Sequence, residues 1–65
     1  MSWVQAEHTT SRGSVRLSYE ATGPGHVLYL VEVTYLGEER LGYQGKSFKR
    51  ADEIYWGWYH RLEEP

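Results

Sequence analysis

Residues 27–35 read VLYLVEVTY. Val27, Tyr29, Val31, Val33 and Tyr35 fall on one side of an extended chain, and Leu28, Leu30, Glu32 and Thr34 fall on the other. The first set is rich in β-branched and aromatic side chains, which fit a pleated, half-buried surface. This period of two predicts the central strand of an antiparallel sheet.

Working outward, Val15, Leu17 and Tyr19 alternate with Arg16, Ser18 and Glu20 and predict a first strand. The tetrapeptide GPGH (23–26) joins it to the central one as a hairpin loop. Leu36, Gly37 and Glu38 form the next turn, and Arg40 to Gln44 returns as a third strand with Leu41 and Tyr43 facing inward. After Gly45 the period changes: Ser47 is an N-cap candidate, and Ala51, Tyr55, Trp58 and Leu62, with Ile54 beside them, form the stripe of an amphipathic helix. Gly57 costs that helix on the order of 1 kcal/mol relative to Ala, and marks either a close approach to the sheet or looseness in the last turns. At the other end, Ser2 can cap a short helix through Trp3, Val4, Gln5, Ala6 and Glu7, followed by the loop-like HTTSRG. The expected fold is α+β in the order α-β-β-β-α: a three-stranded antiparallel sheet with helices packed on one face, a single domain over residues 1–65.

A 65-residue chain without Cys has neither a disulfide framework nor a thiolate metal site, so stability must come from packing, with association with another chain as an optional aid. No stretch approaches the roughly 20 apolar residues of a membrane span, and the N-terminus lacks the apolar run of a secretory signal. The expectation is a cytoplasmic protein, or a domain excised from a longer one, with no membrane contact. The net charge of −2 argues against a nonspecific polycation. Arg40, Lys46, Lys49 and Arg50 nonetheless form a run with no acid among them, followed by Asp52, Glu53, Glu63 and Glu64 against Arg61.

Enzyme readings fail quickly. His8, His26 and His60 lie on different elements without metal-ligand spacing, Glu38 and Glu39 sit at a turn, and no serine has a nucleophile-elbow context. The expectation is no catalysis, no metal and no cofactor. The informative stretch is GKSFKRADE (45–53). With Ser47 as N-cap, Lys49 and Arg50 enter the first helical turn, where the helix dipole disfavours cations by a few tenths to about 1 kcal/mol each. Either they are solvated and pair with Glu53, or they mark a site for an anionic group such as a nucleic-acid backbone.

Taken together, YEATGPGH, YLVEVTY and KSFKRA resemble the double-stranded RNA-binding domain, with its Gly-Pro-x-His loop, alternating second strand and Ser-Lys-Lys-x-Ala helix start. The resemblance runs from about Tyr19 to Ala51. It implies that His26 reaches an RNA minor groove, that Lys49 bridges phosphates with Lys46 and Arg50 assisting, and that Glu7 and Gln5 touch 2′-hydroxyls from the first helix. Double-stranded RNA is then the partner, recognised by A-form shape over about 16 base pairs. Phe48 and Asp52 depart from the motif, removing two cations from the phosphate clamp and adding an acid.

Two rivals accompany this reading. Trp56 and Tyr59 are surplus to one thin sheet and point to a protein-interaction or self-association module, using the aromatic helix or the sheet. A sheet-based DNA reader would need outward-facing cations along the strands. Arg16 and Arg40 are there, but Glu20 and Glu32 share that surface.

Overall fold

The segment VLYLVEVTY lies within β3 (His26–Tyr35) of a computed structural model that describes residues 2–64. Its neighbours are β2 (Gly13–Gly23) and β4 (Glu38–Gly45), and β2 pairs on its other side with β1 (Ser2–Thr10). The sheet is a four-stranded antiparallel meander in the order β1-β2-β3-β4, and α1 (Phe48–Glu63) packs across one face.

This corrects the expected α-β-β-β-α order to β-β-β-β-α, with four strands and one helix. The segment expected to form the first helix is β1. Ala6, His8 and Thr10 are partly covered while Glu7 and Thr9 are exposed, a period of two. Trp3, Val4, Thr9 and Thr10 add β-favouring side chains, and pairing with β2 satisfies backbone groups that a short isolated helix would leave open. Gln5 is the extra residue of a bulge between Val4 and Ala6. Gly13 makes the β1–β2 return possible: at φ 154°, a Cβ there would stand 1.9 Å from the Thr34 carbonyl oxygen.

Val15 and Leu17 on β2 and Val31 and Val33 on β3 meet Ala51, Tyr55 and Leu62 of the helix to form the buried core. The remaining strand and helix assignments hold, as does the N-cap, since Ser47 Oγ accepts from the Arg50 amide at 3.1 Å. Two residues depart from expectation. Gly42 is the extra residue of a second bulge, so the register partners of Val31 and Glu32 are Tyr43 and Leu41. The slip sends Leu41 to the face away from the helix, where it is 63% exposed. Gly57 makes no close approach to the sheet: it is exposed, with no atom within 4 Å of where a Cβ would stand.

Candidate interaction surfaces

Three regions carry the chemistry this chain displays. The first is the sheet face that the helix leaves open. Register places its side chains in rows across the strands: Val4, Ser18, Leu30 and Gln44 in one, and Glu7, Arg16, Glu32 and Leu41 in the next. Arg16 Nε donates to Glu7 Oε2 at 2.6 Å, and this carboxylate, with Glu32 adding a smaller effect, raises the guanidinium above its usual value. On one side of that charged row lie Val4 (56% exposed), Leu28 and Leu30, and Leu41 ends the row itself on β4. Ser18 is small and buried between them. Glu7, Glu20, Glu32 and Glu39 outnumber Arg16 here, and Arg16 is already engaged; Arg40 is the register partner of the core residue Val33, and its Nη2 donates to Glu38 Oε2 at 3.0 Å. A phosphate backbone would meet mostly carboxylates on this face.

The second region is one end of the sheet. His26 opens β3 opposite Gly23, Gly45 pairs with Tyr29, and the Phe48 ring packs 5.4 Å from Tyr29. The topology thus brings the GPGH loop and the KSFKR helix start to the same end. His26, Lys46, Lys49 and Arg50 are exposed, and among the described residues the three cations make no ion pair. Gln5 and Glu7 do not join them from a helix as expected: both lie on β1, where Glu7 is committed to Arg16.

The third region is the outer side of α1. Trp56 is 46% exposed; its indole Nε1 donates to Asp52 Oδ1 at 3.1 Å, and its ring lies 4.9 Å from Tyr59. Tyr59 is not surplus. Its ring stacks 4.0 Å from that of His8 and ties the helix to the edge strand, which leaves Trp56 the exposed member of the pair. Tyr55 is core, and burial pushes its phenol up.

Among the described residues no group of three His, Cys, Asp or Glu side chains is arranged to hold a metal ion, and no helix is long and apolar enough to cross a membrane. Sequence reasoning found the second region and the aromatic helix and gave the sheet as an alternative contact surface, but not the residues of the open face, because β1 contributes to it only as a strand and Leu41 only once turned outward. The alternation of Ala6, His8 and Thr10 with Glu7 and Thr9 was the signal that would have exposed it. The chain matches no protein-family model, no curated protein and no solved structure.

Proposed function

We propose that this chain is a protein-interaction module whose docking surface is the open face of the sheet. One observation carries the reading: the helix covers one face only, and the other presents Val4, Leu28, Leu30 and Leu41 around the Glu7–Arg16–Glu32 row with no element of the described residues packed over them. Aliphatic side chains beside fixed charges suit an interface, where apolar contact supplies affinity and charge sets register. The acidic balance of the face turns nucleic acid away from it. The test is a photo-crosslinking amino acid placed at Leu30 and, separately, at Lys49 in the full chain in cells. Protein adducts from position 30 are the expected result. No adduct at position 30, with nucleic-acid adducts at position 49, would overturn the reading.

Duplex RNA binding stands as a second reading because the GPGH loop and the helix start share one end of the sheet. Three cations reach about three phosphates, which gives a log–log salt slope of roughly −2 to −3 and weak affinity. Loss of the first helix removes the second minor-groove contact that the resemblance implied. Titration of an RNA duplex and the matching DNA duplex at two salt concentrations tests it, with RNA-selective binding lost in His26→Ala and Lys49→Ala as the supporting outcome.

A further inference from the structure

We propose that the open sheet face is closed by a second copy of this chain, in a twofold arrangement that sets Arg16 of each copy against Glu32 of the other. This rests on the reading of that face as a docking surface and names its occupant.

Strand register selects the arrangement. A twofold axis that lies in the interface and runs along the strands between β2 and β3 puts β2 of one copy over β3 of the other at the same height. Arg16 and Glu32 are register partners, as are Ser18 and Leu30. The rotation therefore stacks Arg16 over Glu32 twice, and Leu30 over Ser18 twice. The first match pairs opposite charges. The second seats a branched side chain over a small, buried one.

The remaining rows follow the same rule. Glu20 pairs with Leu28 across β2 and β3, and Thr34 with Ser14, while Glu32 pairs with Leu41 and Thr34 with Glu39 across β3 and β4. After the rotation Glu20 faces Leu28, Glu7 faces Leu41, and Glu39 faces Thr9. No carboxylate is set against another. The perpendicular axis through the charged row would instead place Arg16 on Arg16 and Glu32 on Glu32, an arrangement that like-charge repulsion disfavours. The charge pattern thus selects one of these two ways of closing the face.

The area is sufficient. Four strands at ~4.8 Å spacing and about eight residues of shared length at ~3.3 Å each give a face of roughly 500 Å². Two such faces together bury about 1,000 Å², the lower limit for a specific interface. Aligned sheets pack ~10 Å apart at about −30°, a crossing symmetric about this axis. An interface at this lower limit belongs to the weak, transient class, so the dimer forms at high protein concentration.

Sedimentation equilibrium of the purified chain tests the proposal. The wild-type mass should rise with concentration from 7.6 kDa toward twice that value. Arg16→Glu and Glu32→Arg should each weaken the dimer at least about a hundredfold, because each opposes like charges at two places. An equimolar mixture of the two variants should dimerise again, since both contacts of the mixed pair carry opposite charges. Both sites are exposed, and far-UV circular dichroism verifies that each variant is folded. A wild-type mass fixed at 7.6 kDa, or a mixture no heavier than its folded components, overturns the proposal. The Leu30 crosslink separates the two levels of the argument. An adduct only with a different protein overturns self-association and leaves the docking surface standing, whereas no adduct at all removes both.

Discussion

His8 Nε2 lies 2.7 Å from Glu63 Oε1, and its imidazole stacks on the Tyr59 ring with centroids 4.0 Å apart. The pair joins the edge strand to the last helical turn. Nε2 is buried and, among the described residues, has no aligned hydrogen-bond partner. His8→Ala removes the stacking and this contact together and should cost about 1–2 kcal/mol. In a domain of this size, that lowers the melting temperature by roughly 4–8 °C per kcal/mol. Glu63→Gln, at an exposed carboxylate, should cost less than about 1 kcal/mol. Thermal denaturation of both variants checks the order, and equal, negligible effects would contradict it.

Two glycines should respond in opposite directions. Gly13→Ala forces a methyl group into the Thr34 carbonyl, which belongs to the backbone of the paired strand, so relief requires the sheet to shift. A loss of about 3 kcal/mol or more is expected from overpacking and backbone strain combined. Gly57→Ala places a methyl in open space on a helix and should gain about 1 kcal/mol. Urea unfolding of the two variants measures both signs.

The β3–β4 turn contains stored strain. Leu36 is held at φ 52° beside Gly37 at φ 83°, and it is 70% exposed, so its side chain has little packing to offset the left-handed backbone. Its amide donates to the Arg12 carbonyl at 2.9 Å, which keeps the turn against the β1–β2 return. Leu36→Asn retains that amide and suits the conformation, as in the favoured Asn-Gly hairpin, and should stabilise the fold by about 1 kcal/mol. Urea unfolding again provides the measurement, and a loss of stability would count against the turn geometry.

Tyr55 sets an alkaline limit. Burial, with Tyr59 and Glu7 adding smaller effects, raises its phenol above the ordinary value of 10.0. The unfolded chain therefore gives up this proton first as pH rises. The stabilisation is fully present below the ordinary phenol value and is lost as pH climbs through the raised one. Tyr55→Phe should flatten the fall in stability above about pH 10. A wild-type and variant pair with parallel profiles there would contradict this account.

The two central strands were legible because Val15, Leu17, Tyr29, Val31 and Val33 keep strict alternation, and the helix because Ala51, Tyr55 and Leu62 hold a helical stripe. β1 was hidden because an edge strand carries few large apolar residues, and Ser2 before Trp3 to Glu7 satisfies a helix-start pattern equally well. Leu41 was misplaced because the bulge at Gly42 is a one-residue slip that alternation alone cannot reveal. The basic end depended on linear order and remained together, since the hairpin and helix start meet at one end whichever topology precedes them. The make-up of the open face, with Glu7 and Val4 from β1 and Leu41 from β4, depended on both corrections at once.

The central claim is that the uncovered sheet face is a contact surface, occupied by a second copy. The most direct measurement is an isotope-filtered NOE spectrum of a mixture of labelled and unlabelled chains. Cross-peaks from the Leu30 methyls of one copy to Ser18 and Arg16 protons of the other are the predicted result. A concentrated sample that gives no such cross-peaks, and tumbles as a particle of 7.6 kDa, would contradict it.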